Sequence, residues 1–241
     1  MVRSVRVAKR LIDVVGSLLG LAITLPFFPL IAAAVYIDSP GAIFIRQRRA
    51  GQLGRAADEQ TGNRVSPPKF REFFMLKFRS MRPDAEKHTG PVLATANDPR
   101  ITRVGRILRK TRIDELPQFI NVLLGHMSIV GPRPHMLKDT NEFSNLVSNY
   151  QFRNMARPGI TGLSQVRGYR GPATTFESIF RRYQWDSYYV RNVSFTLDMK
   201  IMIGTALLMM RSLFHKDQPV PLDNNRPVYN SEPLVSAKKI A

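Results

Sequence analysis

Asp114 and Glu115 are adjacent carboxylates that follow the cations Arg109, Lys110 and Arg112 and precede Pro117. Proline fits the first turn of a helix, where its missing N–H has no intrahelical partner. The run Arg109-Lys110-Thr111-Arg112-Ile113-Asp114-Glu115-Leu116-Pro117-Gln118 therefore places both acids at a helix N-terminus. The positive end of the helix dipole and the Arg112 guanidinium favour an ionised Asp114, and two carboxylates this close seldom share one role. A nucleophile beside a metal ligand is the chemistry such a pair suggests. Taken alone, Thr111 followed three residues later by Asp114 also matches a capping box, in which the acid only satisfies a backbone N–H.

Two further sets of cations could meet an anion. In Phe73–Met81, strand periodicity puts Lys77 and Arg79 on one face, with Phe74, Leu76 and Phe78 on the other as the core contact. In Gly131-Pro132-Arg133-Pro134 two prolines restrain the backbone around one arginine, which suits a pre-organised contact to a phosphate or a planar base; a plain rigid turn is the alternative. His88, His126, His135 and His215 lack metal-ligand spacing, which argues against zinc. The absence of cysteine removes disulfides, thiolate metal sites and thiol nucleophiles. A net charge of +18 implies an anionic partner, whether nucleic acid, an acidic membrane face or a phosphorylated substrate.

These residues need elements to hold them. With 241 residues, 44% of them hydrophobic, the chain can bury one catalytic domain with appendages. Val14 to Ile37 carry no charge and are flanked on both sides by cations, Arg3, Arg6, Lys9 and Arg10 before and Arg46, Arg48 and Arg49 after. About twenty apolar residues suffice to cross a bilayer, but Pro26 and Pro29 interrupt the stretch, with Thr24 available to satisfy a freed backbone group. Positive charge at both ends favours a re-entrant helix-break-helix over a straight span. Asp38-Ser39-Pro40-Gly41 is a turn, Ile43-Phe44-Ile45 a strand, and the arginines after it meet lipid headgroups or line a phosphate site. Gln52 to about Phe70 reads as an exposed loop. Ile101–Lys110 is a basic amphipathic helix with Val104, Ile107 and Leu108 on its apolar side, followed by an apolar helix to Gly125, a short strand at Ser128–Val130, and helices over Phe143–Tyr150, Phe176–Tyr189 and Thr196–Leu213. The last is either core or membrane-interfacial. From Asp217 the tail is Pro- and Asn-rich and reads as flexible.

In order along the chain stand Lys9-Arg10-Leu11-Ile12-Asp13 before the proline-broken apolar stretch, Lys77-Phe78-Arg79-Ser80-Met81, Asp98-Pro99-Arg100-Ile101-Thr102, Asp114-Glu115-Leu116-Pro117-Gln118, Gly131-Pro132-Arg133-Pro134, Arg157-Pro158-Gly159-Ile160-Thr161-Gly162, and Trp185-Asp186 with Asp198. This ordered set, from Lys9 to about Phe214, resembles the bacterial sugar transferase family, the monotopic phosphoglycosyl transferases, in a minimal catalytic form. The resemblance implies transfer of a phosphosugar from a UDP-sugar to polyprenyl (undecaprenyl) phosphate through an aspartyl-phosphosugar intermediate. It implies Asp114 as nucleophile, Glu115 as a magnesium ligand, and Lys77, Arg79, Arg112, Pro132, Arg133 and Pro134 around the substrate.

The fold so implied is α/β and mostly helical, a small family-specific membrane-associated fold. A re-entrant helix over 1–38, bent at Pro26, and amphipathic interfacial helices support a catalytic domain over 39–216 and a tail over 217–241. The implied setting is the cytoplasmic face of the bacterial inner membrane, with anionic lipid as partner, nucleic acid excluded and homo-oligomerisation left open. Leu25 and Ala42 depart from the serine and proline usual in the family, and the Gln52 to Phe70 loop is longer than typical. The reading from another class is a non-enzymatic, membrane-anchored basic protein that binds acidic lipid or nucleic acid.

Overall fold

The computed structural model describes residues 3–54, 70–85, 98–171 and 175–214. Residues 55–69 of the Gln52 to Phe70 loop, His88, His215 and the tail from Asp217 lie outside the described residues.

Helix α1 covers Arg3–Thr24, a 3-10 turn covers Leu25–Phe27, and α2 covers Phe28–Asp38. The break falls at Pro26, and Pro29 sits in the first turn of α2, where its missing donor costs least. The Thr24 hydroxyl donates to Gly20 O at 2.7 Å and so reinforces the last turn of α1, while Phe28 N–H takes Leu25 O. Val5–Asp38, taken together, is long and apolar enough to cross a membrane. Its outer side exposes Leu11, Leu18, Ile23, Leu30 and Ile37.

The inner side of this element is fastened by polar side chains. Lys9 donates to Val130 O at 2.9 Å and to Asp198 at 2.7 Å, and Arg10 takes the carbonyls of Val122 and Leu123 at 2.6 and 2.7 Å. Asp13 accepts from the Ser128 hydroxyl and the Ile129 N–H. Gly20 meets the tip of the Phe119 ring, where a Cβ would stand 2.8 Å from Cζ. On the other limb, Phe28 and Val35 of α2 bury against Phe78 and Leu108, and the Asp38 carboxylate accepts from the Val104 N–H.

Strands β1 (Phe44–Arg49) and β2 (Phe73–Phe78) form an antiparallel ribbon with Ile45 opposite Lys77 and Arg49 opposite Phe73. The arginine run is thus part of the strand itself. The expected core face of β2 is corrected: Phe74 is exposed, while Phe73 and Met75 pack on Val122 and Met127 and Phe78 packs on the opposite side. The ribbon has packing partners on both faces, so simple alternation fails. Asn121 covers the free edge of β2 by donating to Phe74 O at 2.8 Å and accepting from Leu76 N–H at 2.9 Å, the pattern another strand would make.

Helix α3 (Arg103–Thr111) is capped by the Thr102 hydroxyl, which accepts from Gly105 N–H at 2.9 Å. Leu108 is buried as expected but Ile107, one position further round the helix, is exposed. Helix α4 (Gln118–Leu123) ends before Gly125, whose φ of +78° suits a residue without a Cβ. Strand β3 (Ser128–Val130) pairs in parallel with β4 (Gly159–Thr161), a segment that sequence alone reads as loop. A Cβ on Gly131 would stand 2.2 Å from Arg157 O, so glycine permits this backbone approach.

Helices α5 (Leu137–Leu146), α6 (Leu163–Val166), α7 (Phe176–Arg191) and α8 (Phe195–Phe214) complete the order. Trp185 and Tyr189 of α7, Ile201 of α8, Leu163 and Val130 form the largest core cluster. Helix α8 contributes to the core through Ile201, while Phe195, Ile203, Leu207 and Met210 are exposed. Over the described residues the fold is mostly helical with two small two-stranded sheets.

Candidate active site

Helix α3 ends at Thr111, and Arg112 then adopts the left-handed region with φ 61° and ψ 15°. Such a backbone costs of order 1 kcal/mol or more for a residue with a side chain, and here it swings the chain into the 3-10 turn Ile113–Glu115. The acids therefore precede α4 in their own turn, where sequence placed them at the helix N-terminus. No capping box forms: the Thr111 hydroxyl donates backwards to Ile107 O at 2.8 Å.

Both acids are buried and are held differently. Lys77 Nζ lies 2.9 Å from Glu115 Oε1 and 3.8 Å from Asp114 Oδ2, and Arg133 donates to the same Glu115 oxygen at 3.2 Å. Burial pushes the Glu115 carboxyl up, but Lys77, Arg133 and Arg112 outweigh it and hold the group well below the usual carboxylate range. Burial also raises Asp114; Lys77 opposes this, Glu115 adds to it, and the net direction is upward. Expectation had Arg112 acting chiefly on Asp114, whereas among the acids it couples more strongly to Glu115.

The dyad lines a cleft of about 650 Å³ with Lys77, Arg79, Arg109, Arg112 and Arg133. Arg79 uses its fork on the backbone carbonyls of Ser39 and Pro40, at the foot of α2, and so ties that helix to the cleft wall. Pro132 and Pro134 are buried to either side of Arg133. Arg153 holds this loop from behind, donating to Arg133 O at 2.7 Å and to Asp186 at 2.7 and 2.9 Å, which gives the Trp185-Asp186 segment a mechanical role.

Four cleft residues were not singled out from sequence: Arg170, Arg182, His135 and Asp139. Burial and the repulsion of Arg112 and Arg133 bring Arg170 down to about 10. His135 lies in the wall with Nδ1 3.0 Å from the Tyr150 hydroxyl; burial and then Arg153, Arg182, Arg49 and Arg133 drive its pKa well down, so the ring is neutral. His135 and Asp139 follow the Gly-Pro-Arg-Pro run closely, but Arg170 and Arg182 carried no local signal, because the segment after α6 and helix α7 reach the cleft only through tertiary packing.

A magnesium ion takes oxygen ligands, commonly one or two carboxylates completed by substrate phosphates and water. Among the described residues no group of three or more metal-ligating side chains gathers. The dyad nonetheless fits that partial ligand set, since both cations sit on the one oxygen Oε1 of Glu115 and Asp114 supplies a second carboxylate next to it.

Residues 4–212 match the family model described as bacterial sugar transferase. The chain is 42% identical over 204 residues to the exopolysaccharide production protein PSS of Rhizobium leguminosarum bv. phaseoli, covering 83% of this chain and 94% of that protein. It is 41% identical over 204 residues to the UDP-glucose:undecaprenyl-phosphate glucose-1-phosphate transferase of Xanthomonas campestris pv. campestris, covering 85% of this chain and 39% of that protein. A protein of the same description from Escherichia coli (strain K12) is 42% identical over 200 residues, with 83% and 39% covered. The chain thus spans nearly all of the first relative and about two fifths of the other two.

Proposed function

The chain belongs to the bacterial sugar transferase family and is a phosphoglycosyl transferase; from that premise we propose that it moves a phosphosugar from a UDP-sugar to undecaprenyl phosphate, releasing UMP. The observation that carries this reading is the unequal dyad. Glu115 is fixed as an anion by Lys77 and Arg133, while Asp114 beside it makes only the longer contact to Lys77 and keeps an oxygen for chemistry.

Asp114 Oδ attacks the sugar-bearing phosphorus, the bond from that phosphorus to the UMP oxygen breaks, and an aspartyl-phosphosugar forms. An oxygen of undecaprenyl phosphate then attacks the same phosphorus, and the carboxylate leaves as Asp114 is regenerated. Lys77, Arg112, Arg133 and Arg170 neutralise the charge on the phosphoryl oxygens and on departing UMP. Glu115, together with the donor diphosphate, would hold a magnesium ion, which would supply further charge neutralisation.

The membrane element supports a re-entrant placement. Both limbs dock on the same domain, α1 through Lys9, Arg10 and Asp13 and α2 through Phe28, Val35 and Asp38, which is the arrangement expected when both ends stay on one side of the bilayer. The exposed side chains Ile107, Leu124, Leu207 and Met210 extend that apolar surface onto α3, α4 and α8. We place the domain at the cytoplasmic face of the inner membrane, where the nucleotide sugar is made and the prenyl phosphate headgroup is accessible. The pathway served is one of exopolysaccharide or related glycan assembly, the role named for the Rhizobium relative.

The test is UMP release by the full chain in nanodiscs with a panel of UDP-sugars. Release that requires undecaprenyl phosphate and magnesium and disappears in Asp114→Asn is the expected outcome. Wild-type turnover in that variant, or failure to trap label from a sugar-labelled donor on the protein, would remove the assignment. Salt-sensitive polyanion binding with no UMP release would favour the non-enzymatic alternative.

A further inference from the structure

Strand β1 measures the cleft from end to end. Ile43, just before it, accepts from the Arg79 N–H at the foot of the membrane element; Ile45 pairs with Lys77 at the dyad; and Ala50, just after it, donates its N–H to His135 O at 3.0 Å. The six residues of the strand, seven steps from Ile43 to Ala50, set the two ends about 23 Å apart. One end thus meets the bilayer side and the other is walled by α5 and α7. Arg133, which touches Glu115, is two residues from His135, at most about 7 Å of backbone.

The far wall differs chemically from the phosphate bed. It carries a carboxylate, Asp139, and a neutral imidazole, His135, whose Nε2 is buried without a partner. Arg182 contributes a second buried nitrogen in that condition, its Nε, while another of its nitrogens is fixed on Gly171 O at 2.6 Å. Phe143 packs edge-on against His135. A carboxylate repels phosphate but accepts from hydroxyls, and buried polar nitrogens without partners are relieved by an uncharged polar ligand that can both donate and accept.

We infer that this end of the cleft, formed by His135, Asp139 and Arg182, is the subsite for the hydroxyl groups of the transferred hexose. The inference rests on the two-step transfer proposed above. In that scheme the lipid phosphate enters from the bilayer side and takes the place that UMP vacates against the same phosphorus. The sugar alone stays through both steps, and it occupies the wall that neither leaving group nor acceptor crosses.

The test uses the full chain in nanodiscs at saturating undecaprenyl phosphate, with kcat/KM measured for UDP-glucose and UDP-N-acetylgalactosamine and the inhibition constant measured for UMP. The variants are Asp139→Asn, His135→Asn and His135→Gln. Asparagine keeps an amide near the Nδ1 position for Tyr150, and glutamine extends one toward the Nε2 position. Asp139→Asn and His135→Asn are expected to lower kcat/KM for the better donor about ten-fold or more and to shrink its preference over the other, with UMP inhibition within about two-fold of wild type. His135→Gln is expected to recover part of the preference. An equal loss for both donors with UMP inhibition weakened in step would overturn the inference in favour of a nucleotide contact. An unchanged donor ratio in an active protein would overturn it alone, whereas a wild-type protein that releases no UMP would take the transferase reading down with it.

Discussion

Lys77 stands 2.9 Å from Glu115 and 3.8 Å from Asp114, so a single ammonium serves two neighbouring carboxylates unequally. Because Arg133 adds to the Glu115 side, the pair splits into a fixed anion and an acid whose proton is held more tightly than usual. Replacing Lys77 with methionine removes the cation common to both and one of those facing the phosphoryl group. Turnover measured by UMP release is expected to fall about 10²- to 10³-fold, with a smaller loss for Lys77→Arg.

The same split sets the pH dependence of stability. The raised pKa of Asp114 means the folded state binds its proton more tightly than the unfolded chain does, so a penalty appears as pH rises through the folded value. Asp114→Asn carries no charge and escapes that penalty. It is expected to raise the Tm at pH 7, with the difference vanishing below about pH 4, where the group is protonated in both states.

Glu115 behaves in the opposite sense. Its depressed pKa contributes stability above the ordinary carboxylate value, lost only as pH falls through the folded one. Glu115→Gln is expected to lower the Tm at pH 7 and to approach wild type in acid. Thermal unfolding of both variants across pH separates the two carboxylates without any substrate.

Lys9, Asp198 and Tyr189 close around Val130 O: Lys9 bonds both Val130 O and Asp198, and the Tyr189 hydroxyl does the same at 3.1 and 2.8 Å. Breaking a buried pair by removing one partner costs about 3–5 kcal/mol, since the other charge stays buried. Lys9→Met is expected to show a loss of that size in denaturant unfolding, and Lys9→Met with Asp198→Asn a smaller one. Equal losses would mean that Lys9 contributes packing alone.

The docking of both α1 and α2 on one domain predicts that cysteines placed at Arg6 and Ser39 label from the same side of the membrane in intact spheroplasts and inverted vesicles. Labelling from opposite sides would require a span.

Much of the site was legible because it is local. Asp114, Glu115, Pro117 and the Gly-Pro-Arg-Pro run lie in short segments whose residue types fix their own backbone, and the ordered motifs sufficed to indicate the family. The break at Pro26 was legible for the same reason, as proline removes a donor wherever it stands. What misled was periodicity where more than one face is covered. Phe74 and Ile107 fit an inward pattern and are exposed, Phe74 on a ribbon packed from both sides and Ile107 on the apolar surface shared with α8. Strand β4 was hidden because three residues hydrogen-bonded to a distant strand carry almost no pattern of their own.

The sequence by itself determined the dyad, the rigid arginine loop, the basic bed and the broken apolar helix, since each follows from the chemistry of consecutive residues. Tertiary structure decided how they are used. It brought Lys77 from β2 and Arg133 from the loop after β3 onto one oxygen of Glu115, turned Arg79 to the foot of α2, and set His135, Asp139 and Arg182 together at the far wall. These outcomes depend on which of several cations reaches a buried carboxylate first. That is a matter of distance and desolvation, and in a chain with 36 lysines and arginines only packing determines it.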